Sequence, residues 1–370
     1  MPIETICWKG GKISFIDQTR LPHEFKVVRT DDIRKLWRAI RNLEIRGAPA
    51  IGIAGSLGVL IGIKDSRAKD FAQFFDELKK AAAYLGSSRP TAVNLFWALE
   101  RMEEAAYRNR NKPVSRIKKA LLKEALDIIA EDKSNCRRMA RHGAVLVKDG
   151  SRILTHCNAG GLATADYGTA LGVLFEAKKQ GKHIKVYVDE TRPLLQGSRL
   201  TTWELMREGI DTTLICDNMA AALMAKGSID MIFVGADRIA ANGDAANKTG
   251  TYSLAVLARY HKIPFYVVAP MSTFDFRIKT GKDIPIEERD GDEVRAVLGK
   301  MIAPRSVKAY NPAFDVTPAK LITAIITEKG ICFHPSLRGL RSKPKQSQDS
   351  LRLLRRPAFG GTPPLEGIQL

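Results

Sequence analysis

The sequence has few cysteines, and none of them stands in a metal-binding or disulfide-rich pattern. Its five cysteines are an odd number, scattered over 370 residues without a C-x-x-C pair. This argues against a structural zinc site and for a reducing compartment. The six histidines include no H-x-x-x-H pair, so the spacing typical of zinc hydrolases is also missing. We therefore expect no metal ion at the functional site.

Aromatic residues are scarce at 7%, while the net charge is +19. Sites for single-stranded nucleic acid combine basic side chains with aromatic rings on which bases stack. The sequence contains no stripe of that kind, and we do not expect nucleic acid as a partner. A diffuse positive field attracts any anion, including a small phosphorylated metabolite.

Long hydrophobic runs are missing, with one exception. Residues 47–63 carry no charge over seventeen positions, which is near the lower limit for a membrane span, but they include five glycines and a proline. This composition predicts a closely packed interior helix rather than a membrane anchor. The N-terminus lacks a basic segment followed by an apolar one, so no secretory signal is visible. We expect a cytoplasmic protein.

The pattern of the chain changes near Gly150. From Asp31 to about Lys148 apolar residues recur at helical spacing, and Asp31 or Asp32 is placed to cap the first helix. Further helical runs span residues 68–85, 90–108, 114–131 and 132–146. After Gly150, β-rich runs at 152–156, 184–188, 211–215, 231–234 and 265–268 alternate with helical ones, as in a parallel sheet. We predict an α/β protein with a mainly helical domain at 1–149, which opens with short strands, and a parallel-sheet domain at 150–334.

Polar and reactive residues follow the predicted strands. The strand ends carry C-N-A-G-G from Cys157, D-E-T-R-P from Asp189, C-D-N from Cys216, G-A-D-R from Gly235 and A-P-M-S-T-F-D from Ala269. Because ligands of open α/β sheets bind beyond the carboxyl ends of the strands, we expect these segments to meet in one cleft.

Cys157 and Asp237 are the candidate catalytic residues, although each also has a purely structural interpretation. Cys157 precedes two glycines and a helical run whose dipole would lower the pKa of its thiol, but a free cysteine is often a small buried hydrophobe. Asp237 follows a buried strand, where a carboxyl with a raised pKa can act as a proton donor, but a helix-capping or salt-bridged aspartate fits the pattern equally well. His156 should point to the opposite face of its strand, so we expect it in the core or behind the residues that contact the ligand. We expect Cys216 in the core.

Three segments offer the chemistry of a phosphate site, and each alone is also compatible with a solvated loop. R-G-A-P at 46–49 places Arg46 and free backbone amides before a helix that tolerates proline in its first turn. N-K-T-G at 247–250 adds Lys248, and Arg89 precedes another helical run. Asn247 stands where a P-loop requires its second glycine, so a nucleotide site is disfavoured.

Several longer segments carry a resemblance to a known family. They are R-G-A-P-A-I-G-I-A, S-R-P-T-A-V-N-L-F-W-A-L-E-R-M, T-H-C-N-A-G-G-L-A-T, D-E-T-R-P-L-L-Q-G-S-R-L-T-T-W-E-L, V-G-A-D-R-I-A-A-N-G-D-A-A-N-K-T-G-T-Y and I-P-I-E-E-R-D. Together, from about Glu4 to about Gly330, they resemble the methylthioribose-1-phosphate isomerases. Their superfamily also contains ribose-1,5-bisphosphate isomerase and the regulatory subunits of translation initiation factor 2B.

The resemblance implies conversion of 5-methylthioribose 1-phosphate to 5-methylthioribulose 1-phosphate in methionine salvage, without a metal or an organic cofactor. It implies that Asp237 donates a proton to the ring oxygen and that Cys157 acts at C2 as a base or as a stabiliser of charge. The implied substrate contacts are Arg46, Gly47, Ala48, Arg89, Gln196, Asn247 and Lys248. The resemblance also implies a Rossmann-like C-terminal domain and a homodimer.

Two segments depart from the family, and two alternative functions stay open. Residues 54–58 read A-G-S-L-G where family members often carry a run of alanines, a difference that affects packing only. The tail at 335–370 is basic, rich in proline, glycine and serine, and unlike the family, so we predict that it is disordered. A ribose-1,5-bisphosphate isomerase would need a second phosphate site in place of the methylthio group. A non-catalytic subunit of the initiation factor 2B type would not need the pair Cys157 and Asp237.

Overall fold

The computed structural model describes residues 3–333, so the predicted disordered tail at 335–370 lies outside the described residues. The chain opens with a three-stranded antiparallel sheet formed by β1 (Ile6–Lys9), β2 (Lys12–Ile16) and β3 (Val27–Thr30). Short strands at the N-terminus were expected from the sequence, and this expectation is confirmed.

Helices dominate the next part of the chain, as the sequence predicts. They are α1 (Ile33–Arg41), α2 (Ala48–Gly62), α3 (Phe71–Gly86), α4 (Val93–Arg108) and α5 (Val114–Ala144). Asp32 caps α1, since its carboxylate accepts a hydrogen bond from the Arg34 amide at 2.8 Å. The uncharged segment forms α2, which is buried over most of its length, so its interior position is confirmed. Among residues 3–333, no helix combines the length and apolarity that a membrane crossing requires.

Helix α5 corrects one expectation from the sequence. The two helical runs predicted at 114–131 and 132–146 form one continuous helix, because neither proline nor glycine interrupts the segment between them. Ile117 and Leu121 pack into the core of the helical part, whereas Met139 and Ala140 pack into the core beneath the sheet. The two cores therefore meet along α5, and the domain boundary near residue 150 stays a prediction.

Strands and shorter helices alternate after α5. The remaining strands are β4 (Arg152–Thr155), β5 (Lys185–Asp189), β6 (Asp211–Ile215), β7 (Met231–Val234), β8 (Arg238–Ala240), β9 (Ala245–Lys248), β10 (Phe265–Val268), β11 (Phe274–Asp275), β12 (Ala296–Val297), β13 (Lys300–Met301), β14 (Phe314–Thr317), β15 (Ala324–Thr327) and β16 (Gly330–Phe333). The remaining helices are α6 (Ala170–Lys179), α7 (Thr202–Arg207), α8 (Ala220–Ala225), α9 (Thr251–Tyr260) and α10 (Asp292–Arg295).

Seven strands form the main sheet in the order β16-β15-β10-β7-β4-β5-β6, parallel except for β16. The α/β fold class is therefore confirmed. From β4 the chain proceeds to β5 and β6 on one side and then returns to β7 on the other side. This reversal leaves a crevice beyond the carboxyl ends of β4 and β7, where open α/β sheets bind their ligands. The Thr155 hydroxyl donates to the Phe233 carbonyl at 2.8 Å and ties these two strands together.

A second sheet, in the order β11-β8-β9-β14, was not predicted from the sequence. Asn247 and Lys248, expected in a turn before a helix, are the last residues of β9 instead. Lys248 pairs with Phe314 of β14 in an antiparallel register. The strand escaped detection because it is only four residues long and one of its two partners, β14, lies far along the chain.

The contact between α5 and α6 requires a small residue. A Cβ at Gly143 would lie 2.4 Å from Cγ2 of Val173. We expect Gly143→Ala to lower the free energy of unfolding by about 1 kcal/mol. Overpacking destabilises by about 1–3 kcal/mol, and the higher helix propensity of alanine offsets about 1 kcal/mol of this loss. Urea unfolding midpoints measure the change, with the exposed α5 substitution Ser115→Ala as control. A midpoint for Gly143→Ala at or above that of the unaltered protein would contradict the packing argument.

Candidate active site

A small cavity of about 50 Å³ lies at the crevice, between the helical part and the main sheet. Seven of the nine residues implied by the resemblance line it: Arg46, Gly47, Arg89, Cys157, Gln196, Asp237 and Lys248. The lining also includes Leu43, Ile51, Leu194, Arg289, Ala313 and Phe314. The volume is that of one or two water molecules. Lining side chains must therefore move outward before a sugar phosphate can enter.

The other two residues of the implied set lie next to the cavity. Ala48 is the first residue of α2 and directly follows Gly47. Asn247 precedes Lys248 in β9, and its side-chain amide donates to the Thr251 hydroxyl at 3.0 Å. Larger cavities of about 610 and 570 Å³ lie elsewhere among the described residues, but neither contains Cys157 or Asp237.

Cys157 is held in an unusual backbone conformation just after β4. Its φ is 63°, in the left-handed region that residues other than glycine rarely adopt. Its amide donates to the Thr191 hydroxyl at 2.8 Å, and its carbonyl accepts from the Thr201 hydroxyl at 2.6 Å. Backbone strain of this kind is frequent at functional positions. The sharp turn directs the thiol into the cavity.

Burial raises the pKa of the Cys157 thiol, although the charges of Arg46 and Lys248 oppose the shift. The expectation that a helix dipole lowers this pKa was wrong. The chain after Cys157 forms only a short 3₁₀ turn at Gly161–Ala163, and α6 begins at Ala170. Without a helix N-terminus beside the thiol, no helix dipole opposes the effect of burial on its pKa.

Asp237 reaches the cavity from the next strand of the sheet. It follows β7, and its amide donates to the Ala246 carbonyl at 2.8 Å. Burial raises the pKa of its carboxyl, while the charges of Lys248, Arg46 and Arg89 lower it in part. The direction agrees with the sequence argument for a carboxyl that follows a buried strand. Such a group can hold a proton and deliver it to a ligand.

Arg46 and Gly47 bring the start of α2 against the end of β4. The guanidinium of Arg46 donates to the side-chain oxygen of Asn158 at 2.5 Å and to its backbone carbonyl at 2.8 Å. Gly47 has a φ of 90°, and a Cβ there would lie 2.5 Å from Cα of Ala163. Only glycine permits this approach, which leaves the first amides of α2 beside the cavity, where they favour an anion.

Arg89 and Arg289 share one carboxylate. Arg89 contacts Glu287 at 2.8 Å, and Arg289 contacts the other oxygen of Glu287 at 2.9 Å. Arg289 also pairs with Glu293. Arg289 was missed by the sequence argument, although it stands in the quoted segment I-P-I-E-E-R-D, because that segment shows neither a strand end nor a helix start.

Two further polar groups complete the cavity. The ammonium of Lys248 donates to the Ala313 carbonyl at 2.8 Å, and burial lowers the pKa of this side chain, with Cys157 and Asp237 opposing the shift. The side-chain oxygen of Gln196 is buried and accepts no hydrogen bond from the described residues. An unmet buried acceptor costs about 1–3 kcal/mol. A ligand hydroxyl that donates to Gln196 would remove this cost.

His156 and Cys216 lie outside the cavity. His156 is fully buried behind Cys157, as the strand alternation predicts. Cys216 is exposed and not in the core, because it follows β6, the edge strand of the main sheet. Among residues 3–333, the one cluster close enough to hold a cation comprises His156, Asp189 and Asp217. In this structure Nδ1 of His156 contacts Asp189 and Nε2 contacts the Thr249 carbonyl.

The raised pKa of Cys157 has a measurable consequence. Alkylating reagents attack the thiolate, so the rate of modification at Cys157 should rise with pH and reach half its maximum above 9.0, the ordinary value for cysteine. Iodoacetamide labelling followed by peptide mass spectrometry gives the rate, with N-acetylcysteine as the control thiol. A half-maximal rate below that of the control would show a lowered pKa and contradict this assignment.

Comparison with known proteins supports an enzymatic assignment. The model of the initiation factor 2 subunit family matches residues 44–334. The 5-deoxyribose 1-phosphate isomerase of Moorella thermoacetica is 55% identical over 90% of this chain and 95% of its own length. The methylthioribose-1-phosphate isomerase of Geotalea uraniireducens is 55% identical over 90% of this chain and 96% of its own.

A solved structure agrees with these relatives. The 5-methylthioribose 1-phosphate isomerase of Pyrococcus horikoshii superposes with a TM-score of 0.83 at 47% identity, covering 91% of this chain and 94% of that chain. Both the fold and the enzymatic class are therefore shared with proteins similar over nearly their whole length. The chain belongs to the initiation factor 2 subunit family and is an isomerase.

Proposed function

We propose that this isomerase converts 5-methylthioribose 1-phosphate to 5-methylthioribulose 1-phosphate at the cavity that contains Cys157 and Asp237. The observation that carries the proposal is that a thiol and a carboxyl, both with raised pKa values, line one small cavity together with several cations. The names of the similar proteins supply the substrate class.

The charges of the cavity suit a phosphate dianion. Four cationic side chains line it: Arg46, Arg89, Lys248 and Arg289. Glu287 offsets part of the charge of Arg89 and Arg289. Within residues 3–333, Arg46 and Lys248 bind only neutral oxygen acceptors, namely those of Asn158 and Ala313. Two cations thus have no carboxylate partner, which matches the two negative charges of a phosphate ester.

Asp237 opens the sugar ring in the proposed mechanism. The phosphate ester on C1 prevents the ring from equilibrating with a free aldehyde, so the ring oxygen must be protonated for the C1–O bond to break. The raised pKa makes the Asp237 carboxyl easier to protonate and so suits it to supply this proton. Positive charge then develops at C1, next to the buried side chains of Cys157 and Asp237.

Cys157 acts on the bond between C1 and C2. In one route, its thiolate removes the proton of C2 to form an enol phosphate, then returns a proton to C1. In the other route, hydrogen moves from C2 to C1 as a hydride, and the thiolate stabilises the developing positive charge. In both routes the C2 hydroxyl loses its proton to the Asp237 carboxylate as the ketone forms, so both groups return to their starting states.

The active state is a minor protonation state of the free protein. Catalysis requires a protonated Asp237 and an ionised Cys157, whereas the thiol has the higher intrinsic pKa of the two. The carboxylate of Asp237 raises the pKa of Cys157 further, and Arg46 and Lys248 lower it. Protonation of Asp237 removes that repulsion and so favours ionisation of the thiol. The pH profile should therefore report two pKa values that belong to the pair.

The apolar side of the cavity favours a sugar without charge at C5. Leu43, Ile51 and Leu194 line the cavity and offer no hydrogen-bond donor from their side chains. A methylthio group suits such a surface, and so does the methyl group of 5-deoxyribose 1-phosphate, the second candidate substrate suggested by the Moorella relative. The second phosphate of ribose 1,5-bisphosphate would lose its hydration there without gaining a cation.

Three further features of the function stay predictions from the sequence. They are a role in methionine salvage, a homodimeric assembly and a cytoplasmic location. A non-catalytic regulatory role is disfavoured, because such a role needs neither the thiol of Cys157 nor the carboxyl of Asp237.

Substitution of either catalytic candidate should abolish turnover without unfolding the chain. We expect Cys157→Ser and Asp237→Asn each to lower kcat by about 100- to 10,000-fold, the usual contribution of a positioned acid or base. Turnover of 5-methylthioribose 1-phosphate and circular dichroism measure the two effects. Cys216→Ser and Asp211→Asn, both exposed, are the matched controls. Full activity of either site variant would remove that residue from the mechanism.

The substrate range tests the apolar side of the cavity. We expect turnover of 5-methylthioribose 1-phosphate and of 5-deoxyribose 1-phosphate, and a kcat/KM at least about 100-fold lower for ribose 1,5-bisphosphate, since an unpaired charge in such a pocket costs several kcal/mol. Product formation for the three substrates at one enzyme concentration gives the ratios. A preference for the bisphosphate would make the chain a ribose-1,5-bisphosphate isomerase instead.

A further inference from the structure

His156 is a buried ionisable residue that the mechanism leaves without a task. Its side chain is 1% exposed and precedes Cys157 in the chain. A histidine that only fills space in a core costs free energy through its polar nitrogens unless both are satisfied. The partners of those nitrogens therefore indicate what the residue does.

The two ring nitrogens contact two different elements. Nδ1 lies 2.9 Å from a carboxylate oxygen of Asp189, at the end of β5. Nε2 lies 3.0 Å from the backbone carbonyl of Thr249. A carbonyl only accepts hydrogen bonds, so Nε2 carries a proton and donates it. Burial alone lowers the pKa of His156, but Asp189, Asp217 and the Thr249 carbonyl outweigh it and raise the pKa.

The Thr249 carbonyl belongs to the turn that follows Lys248. Gly250, the next residue, has a φ of 108° and stands directly before α9. A Cβ at Gly250 would lie 2.7 Å from Cε1 of His156, so the ring packs against this turn at a distance that only glycine allows. The contact therefore fixes the turn at its backbone, one residue after the ammonium that lines the cavity.

We propose that His156 is a positioning residue that binds the Thr249 carbonyl and so holds Lys248 at the place where the phosphate of the substrate binds. Asp189 orients the ring from the other side, with its second carboxylate oxygen buried and unpartnered among the described residues. His156 and Cys157 are adjacent at the end of β4. This strand end therefore positions the Cys157 thiol directly, and it positions the phosphate site through the ring of His156. The inference rests on the proposed function, since it requires that the cavity binds a phosphate.

Two substitutions separate the two contacts of the ring. The amide nitrogen of asparagine can replace Nδ1, so His156→Asn keeps a donor for Asp189 and loses the contact with Thr249. The longer glutamine can place its amide nitrogen near Nε2, so His156→Gln keeps the contact with Thr249. We expect His156→Asn to raise KM for 5-methylthioribose 1-phosphate and Kd for inorganic phosphate by about 10-fold or more, with a smaller change in kcat. For His156→Gln we expect KM and the phosphate Kd to stay within about 3-fold of the values for the unaltered protein. A small difference is expected because the glutamine nitrogen does not coincide fully with Nε2.

A third variant and a control complete the experiment. Asp189→Asn keeps the volume of the side chain and removes the charge that orients the ring, so it should raise KM and the phosphate Kd in the same direction. It also tests the proposal if His156→Asn does not fold. His142→Gln is the control: Nδ1 of the partly buried His142 contacts the backbone carbonyl of Thr327, outside the cavity, and glutamine replaces Nε2 rather than Nδ1, so this contact is lost. Its KM and phosphate Kd should stay unchanged.

The outcomes separate this inference from the proposed function. Isothermal titration calorimetry measures the binding of inorganic phosphate without turnover. If the unaltered protein binds phosphate but does not isomerise 5-methylthioribose 1-phosphate, the proposed substrate is wrong. The phosphate Kd of the variants then still tests the role of His156. A folded His156→Asn variant with unchanged KM and phosphate Kd overturns the inference. Equal losses in His156→Asn and His156→Gln also overturn it, because the Thr249 contact would then not be the cause.

Discussion

The contact between Arg46 and Asn158 is the interaction on which the site depends. It joins the start of α2, in the helical part, to the residue after Cys157, in the part that contains the sheet. The side-chain amide of Asn158 in turn donates to Glu204 at 2.8 Å. Burial raises the pKa of Glu204 to about 7, so part of the population carries a neutral carboxyl at physiological pH. This chain of contacts connects the start of α2, which lines one side of the cavity, to the strand end that carries Cys157.

The topology of the sheet adds a second constraint. Cys157 and Asp237 are eighty positions apart in the chain, but they follow β4 and β7, which are neighbours in the sheet. Parallel strands end at the same edge, so the two side chains meet beside the point where the strand order reverses. The burial of the charged groups around them costs free energy. A buried ion pair such as Arg89–Glu287 therefore adds little to stability, and its role is better explained as holding the Arg89 guanidinium at the cavity.

Strongly periodic segments could be predicted from the sequence, whereas short or composite ones could not. The strands at 211–215, 231–234 and 265–268 lie where the apolar runs predicted them. The second sheet was missed, since β9 has four residues and one of its two partner strands, β14, lies far along the chain. The exposure of Cys216 was missed for a related reason: the sequence pattern does not show which strand lies at the edge of the sheet.

By itself, the sequence determined the types of the elements, the motifs at the strand ends and the family resemblance, because these depend on local spacing and residue chemistry. The tertiary structure alone decided the direction in which the pKa of Cys157 shifts, since burial and the neighbouring charges of Arg46 and Lys248 set that direction and no local pattern reports them. It also decided that Arg289 faces the cavity and that His156 contacts the turn after Lys248. Those contacts join segments that are far apart in the chain. Such segments come into contact only when the chain has folded, so no local sequence pattern can predict the contact.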